Sequence, residues 1–197
     1  MITNIEQLYD IPQVSVLLHI MKLFNEDVHE HCISVTKITI AILDECQNQF
    51  TEQEHDEIVI GAALHDIGKI LVPFNLTSSP RRFTEGEYGI MKMHTLIGTE
   101  MLKNDFSKTI QDICLYHHEQ PNGTGYIIGL PLSAIPEAAL IVKVADEYDA
   151  LVSKRSYKSN YDKNVAISIM KNDCQTMKID DGYFAKLKNA LNNGFEV

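Results

Sequence analysis

The stretch Gly61-Ala62-Ala63-Leu64-His65-Asp66-Ile67-Gly68-Lys69-Ile70 constrains this chain more than any other segment. An apolar helical run ends in an adjacent imidazole and carboxylate, then a glycine, then a lysine. Successive helix positions point about 100° apart, so His65 and Asp66 cannot both face a helical core. At the end of a helix both can reach one cation. The rest of the chain then reads as a scaffold that carries further ligands to that pair.

The flanking stretches place apolar residues at spacings of three and four, and no run alternates as a strand does. The fold class expected is all-α, with about seven helices. Residues 13–24 read as a first helix and 26–49 as a long second one, with the stripe His31, Val35, Ile38 and Ile42. Asp27 lies one turn before His31, on the same face if the helix extends back that far. Thr51-Glu52-Gln53-Glu54 is a capping box, in which both side chains satisfy backbone N–H groups at a helix start. Its helix carries Ile58, Ala62 and His65 on one side, with Lys69 one turn on. A loop is expected over 72–83. Thr84-Glu85-Gly86-Glu87 is a second capping box and opens a helix with the stripe Met91, His94, Gly98 and Met101. Ile110, Ile113, Cys114 and His117 share one side of a helix over 107–118. The glycine-rich loop Asn122-Gly123-Thr124-Gly125-Tyr126 follows. Pro136 suits the first turn of the next helix, which turns Ala138, Val142, Ala145 and Asp146 inward, with Asp149 beyond. Residues 162–172 and 181–192 read as two closing helices.

A single histidine on an apolar stripe is more often a hydrogen-bonded core residue than a ligand. His19, His29 and His55 stay in that class, as surface or structural residues. The joint pattern is different. His31, His65, His94, His117 and Asp146 each fall on the inward stripe of a different helix, and Asp66 and His118 adjoin two of them. Burying so many ionisable groups together is costly without a compensating charge, which divalent cations supply. Imidazoles with carboxylates suit iron, manganese, zinc or nickel better than calcium or magnesium. A carboxylate such as Asp66 can bridge two ions. Two close metals hold a hydroxide at neutral pH and clamp a phosphoryl group for in-line displacement. Lys69 fits two roles, neutralising charge at the transition state or pairing with a helix C-terminus.

Composition narrows the partners. There are 17 Lys and Arg against 27 Asp and Glu, a net charge of −10, which argues against general DNA or RNA binding. An anionic substrate then needs local attraction from metals or a few placed basic residues. No apolar run reaches the length of a membrane span and no signal peptide is present, so a cytoplasmic location is expected. Cys32, Cys46, Cys114 and Cys174 form no CxxC pair and read as reduced, mostly buried thiols.

The ordered motifs resemble a known family. Ala63-Leu64-His65-Asp66-Ile67-Gly68-Lys69 is similar to the signature of HD-domain metal-dependent phosphohydrolases. Met91-Lys92-Met93-His94 with Gly98, His117-His118-Glu119, Gly123-Thr124-Gly125-Tyr126, Val144-Ala145-Asp146-Glu147-Tyr148-Asp149-Ala150-Leu151 and Arg155-Ser156-Tyr157-Lys158 resemble its HD-GYP branch, associated with cyclic di-GMP phosphodiesterases. The resemblance implies an HD-domain helical bundle around a multinuclear site of two or three divalent metals, usually iron or manganese. The implied ligands are His31, His65, Asp66, His94, His117, His118 and Asp146. Asp27 stands where members with a third metal have a carboxylate, usually glutamate. Asp66 and Lys69 are the implied catalytic residues. Lys69, Arg155 and Lys158 are implied to hold the substrate's phosphates.

Two departures fall in the Gly-Tyr loop. Asn122 stands where the family has aspartate, and Ile127 where it has proline. Neither removes a metal ligand; both alter the loop beside the substrate and a surface associated with protein partners. Residues 1–26 are expected to be an N-terminal helical extension and 27–197 the HD-GYP-like domain, with no upstream sensor or receiver domain. The implied activity is hydrolysis of cyclic di-GMP to pGpG, and onward to GMP, by metal-hydroxide attack on phosphorus. The rival expectations are a non-catalytic nucleotide- or partner-binding module and an HD phosphohydrolase for another nucleotide.

Overall fold

The computed structural model describes residues 1–77, 81–153 and 160–196. Over these the chain is all-α, with helices α1 (Glu6–Tyr9), α2 (Pro12–Phe24), α3 (Glu26–Asp44), α4 (Glu52–Leu64), α5 (Phe74–Thr77), α6 (Glu85–Lys92), α7 (His94–Leu102), α8 (Lys108–Tyr116), α9 (Glu137–Val152), α10 (Lys163–Gln175) and α11 (Asp181–Asn192). Short 3-10 turns cover Ile67–Leu71 and Leu132–Ala134. Among the described residues, β pairing is limited to one isolated bridge between Asn122 and Pro131. No helix of these residues is long and apolar enough to cross a membrane.

Helix starts follow local chemistry. Thr51 and Thr84 both form complete capping boxes, with Glu54 and Glu87 returning to the threonine N–H. Asn25 caps α3 by accepting from the Val28 N–H at 3.2 Å. Two expected spans are shortened. The helix expected over 26–49 ends at Asp44, since Gln47 and Asn48 take positive φ values of 22° and 61° that a right-handed helix cannot continue. The helix expected through Met91 and His94 breaks at Met93 into α6 and α7. There the His94 ring donates to the Met91 carbonyl and the Thr95 hydroxyl to the Lys92 carbonyl, so side chains engage carbonyls at the break.

Helix α3 occupies the middle, packed against α2, α4, α9 and α11, while α8 packs on α4, α7 and α9. Ile38, Ile42, Ile58, Leu64, Ile113 and Ile141 are buried in one core. Leu8, Val14, Leu18 and Met21 of the N-terminal segment lie in that same core. Each such side chain contributes about 1.5–3 kcal/mol on burial, so packing rather than intrinsic propensity holds the short helices.

Two glycines set the approach of α7 to the 3-10 turn after α4. A Cβ on Gly68 would lie 2.0 Å from the His94 carbonyl oxygen, and a Cβ on Gly98 would lie 2.5 Å from Cys114 Sγ and 3.1 Å from the Gly68 nitrogen. Backbone meets backbone there, which brings His94 beside Asp66. All four cysteines are free thiols, three of them buried.

Candidate metal centre

His31 from α3 and the ends of α4, α7 and α8 converge on the Asp66 carboxylate, with Asp146 of α9 alongside. His31 Nε2 lies 3.6 Å and His65 Nε2 3.5 Å from its Oδ2. His94 Nε2 lies 3.2 Å and His117 Nε2 3.7 Å from its Oδ1. Two imidazoles thus face each carboxylate oxygen. The ligand atoms form two groups within 4.8 Å, His31 with His65 and Asp66, and Asp66 with His94, His117 and His118. Asp66 belongs to both. Asp146 Oδ1 stands 3.0 Å from His31 Nε2, and its Oδ2 4.0 Å from His118 Nδ1, so it spans the open side between them.

The outer nitrogens explain this orientation. His65 Nδ1 donates to the Ala62 carbonyl at 2.7 Å, His94 Nδ1 to Met91 at 2.7 Å, and His117 Nδ1 to Ile113 and Cys114 at 3.1 and 3.0 Å. His31 Nδ1 donates instead to a carboxylate, Asp149 Oδ2, at 2.6 Å. With the proton on Nδ1, every Nε2 presents a lone pair to the centre, as ligation requires.

Two atoms at the middle test whether cations fit. His65 Nε2 and Asp66 Oδ1 are buried and have no hydrogen-bond partner. Buried polar atoms are seldom left so, and a cation satisfies both a bare imidazole nitrogen and a bare carboxylate oxygen. The residues therefore fit a pair of divalent metals, one in each group.

Charge follows the same pattern. Burial pushes His65 down to about 4 and His94 down to about 3. Burial and the neighbouring His117 hold His118 well below the usual imidazole range. Burial also opposes a charge on His31, but hydrogen bonds to Asp146 and Asp149 outweigh it and raise that ring. Against its own burial, Asp66 is held well below the usual carboxylate range, chiefly by the Lys69 ammonium in direct contact with it.

The chain matches the HD domain family over residues 20–182. It belongs to that family. This HD domain is 42% identical over 123 residues to a cyclic di-GMP phosphodiesterase response regulator of Xanthomonas campestris pv. campestris, covering 61% of this chain and 32% of that protein. It is 39% identical over 150 residues to a cyclic di-GMP phosphodiesterase of Thermotoga maritima, covering 73% and 40%. A 3'3'-cGAMP-specific phosphodiesterase of Vibrio cholerae is 36% identical over 110 residues, covering 54% and 21%. The chain thus spans well under half the length of these curated relatives. The fold resembles that of an HDGYP protein from Bdellovibrio bacteriovorus, with a TM-score of 0.70 at 23% identity over 95% of this chain and 60% of that one.

Of the residues expected at the site, the HD domain brings His31, His65, Asp66, Lys69, His94, His117, His118 and Asp146 together. Asp27 stays apart: it is exposed in the first turn of α3 and belongs to neither group. Its carboxylate there complements the helix dipole. Arg155 and Lys158 lie outside the described residues. His19 is exposed, while His29 and His55 are buried away from the centre, His29 against the Tyr9 hydroxyl at 3.0 Å.

Two supporting carboxylates escaped the sequence reading. Asp149 is fully buried, and besides His31 it accepts from the Ser34 and Ser153 hydroxyls. Its position one turn after Asp146 was the available signal. Glu119 is also fully buried and accepts from the N–H groups of Ile128, Gly129 and Leu130 at 2.7 to 3.1 Å. It closes the Gly-Tyr loop so that Tyr126 stacks on His118, centroids 4.5 Å apart. Asn122 has a local reason. Its amide donates to the Thr176 carbonyl at 2.8 Å while its carbonyl accepts from the Thr124 N–H at 3.0 Å. An aspartate could accept but not donate there.

Proposed function

We propose that this chain is the hydrolytic part of a metal-dependent cyclic dinucleotide phosphodiesterase. It opens cyclic di-GMP to pGpG, with GMP as the product of a second cut, in the cytoplasm. The observation that carries this reading is Asp66, with two imidazoles facing each carboxylate oxygen and two of the central atoms unsatisfied. The names of the relatives support the substrate class.

When bound, two divalent ions, iron or manganese in this reading, supply Lewis-acid polarisation of the phosphoryl oxygens and an oxygen nucleophile at neutral pH. His31 and His65 on one side, and His94, His117 and His118 on the other, hold the charge in place. Lys69 touches Asp66 and remains 19% exposed, so its cation stands at the rim, where it neutralises charge building on the phosphoryl oxygens. Water oxygen bonds to phosphorus, the P–O3′ bond breaks, and a proton ends on O3′. Arg155 and Lys158 hold the second phosphate. Asp146, beside the inner nitrogen of His31, would join the ligands, and Asp149 acts through His31, keeping its Nε2 aimed inward.

The test is metal content and cyclic di-GMP turnover on the same preparation, purified without chelators and loaded anaerobically. Two ions per chain with pGpG appearing is the expected result. Two ions without turnover of any cyclic dinucleotide ends the reading. A related substrate, the mixed cyclic dinucleotide, is favoured by the relative from Vibrio cholerae, and a substrate panel separates the two.

A further inference from the structure

Next to the His94 and His118 group stands a cluster that the metal chemistry does not use. Helix α6 buries none of its residues, yet it carries Tyr88, 45% exposed, and Lys92. The Lys92 ammonium lies over two rings, 4.5 Å from the Tyr88 centroid and 5.2 Å from that of Tyr126. Those rings meet edge to face, 6.1 Å apart at 79°. Tyr126 in turn stacks on His118 at 4.5 Å. A continuous aromatic path therefore leads from solvent to a metal-site histidine, with one cation in its corner.

Among the described residues, no carboxylate pairs with that cation. In a chain of net charge −10, that lysine places a cation beside the centre. Ring faces are weak acceptors for its three N–H donors, and the residue is half-buried, so a ligand can reach them. A flat ligand with an acceptor-rich edge supplies what is missing.

We propose that Tyr88, Lys92 and Tyr126 form a base subsite that selects guanine. This rests on the cyclic dinucleotide reading of the adjoining centre. Guanine presents N7 and O6, two acceptors, on one edge; adenine presents N7 beside an amino donor, which an ammonium repels. The exposed Tyr88 ring gives either purine a stacking surface, while Tyr126, between Lys92 and His118, holds the ammonium in place. Lys92 therefore supplies discrimination, and Tyr88 supplies affinity without it. The contact to His118 keeps the base one step from the phosphodiester.

The experiment is equilibrium binding of the hydrolysis-resistant phosphorothioate analogues of cyclic di-GMP and cyclic di-AMP to the metal-loaded full chain. Lys92→Met is expected to weaken the guanine ligand about tenfold and leave the adenine ligand nearly unaffected. Lys92→Arg, which keeps donors, restores the preference. Tyr88→Ala weakens both ligands about tenfold, because stacking ignores base identity. Metal content of each variant confirms an intact centre. Unchanged guanine affinity in Lys92→Met, equal losses for both ligands, or a wild-type protein that binds neither overturns the subsite. Binding of cyclic di-GMP without hydrolysis instead ends the phosphodiesterase reading and leaves the subsite standing.

Discussion

The two sides of the metal centre are built differently. On the α7 and α8 side, His94 and His117 pass their outer protons to backbone carbonyls, and their neighbours are rings. On the α3 and α9 side, His31 passes its proton to a buried carboxylate and has a second carboxylate at its inner nitrogen. Backbone carbonyls come with helix geometry, since residues three and four earlier always offer one. A carboxylate must be encoded and its own burial offset, here by the Ser34 and Ser153 hydroxyls. The first side is thus held by the fold, and the second by side chains that single substitutions can remove.

The largest expected effect erases the contrast. Asp66→Ala removes the carboxylate that belongs to both clusters, so both positions weaken by more than the roughly 100-fold that loss of an outer partner costs. Elemental analysis should find less than one ion per chain, and hydrolysis should vanish. Retention of two ions would mean that Asp66 does not bridge.

Asp149→Asn sharpens it. The His31 position should lose about 10- to 100-fold in metal affinity while the other keeps its ion. A chelator titration should then resolve a weak and a tight site where the parent protein shows two of similar strength. Equal weakening of both positions would contradict the asymmetry.

Acid should separate His31 from the other imidazoles in chelator-treated protein. His65 and His94, at about 4 and about 3 when folded, refuse a proton that the unfolded chain binds near 6.5. Stability that is full above that pH is therefore lost as pH falls through this window. His31 has the opposite sign: its raised value adds stability below 6.5 that is lost as pH rises through the folded value. The melting temperature should drop by roughly 2–4 °C for each ~1 kcal/mol lost. His31→Asn should remove the loss seen as pH rises above 6.5 and leave the acid loss below 6.5 unchanged. A loss above 6.5 that persists in the variant would reverse the assignment.

The smallest effect lies in the Gly-Tyr loop. Asn122→Asp loses one donated bond to the Thr176 carbonyl and should cost about 1 kcal/mol in urea unfolding, with metal content unchanged. A gain in stability would show that the amide does not anchor the loop.

Much of this was legible without coordinates. The all-α class, both capping boxes and the inward stripes of His31, His65, His94 and His117 follow from spacing, because helical periodicity and caps are local properties of a few consecutive residues. The HD and His117-His118 motifs marked the same residues. What spacing could not decide is which carboxylates support the centre. Asp27 and Asp149 both stand within a turn of an expected ligand, yet one is exposed and the other fully buried. Only the packing of α9 on α3, and the glycine contact that presses α7 against the turn after α4, separates them. Such choices depend on residues distant in sequence: His31 and Asp149 lie 118 positions apart, and no local preference of either reports the 2.6 Å between them.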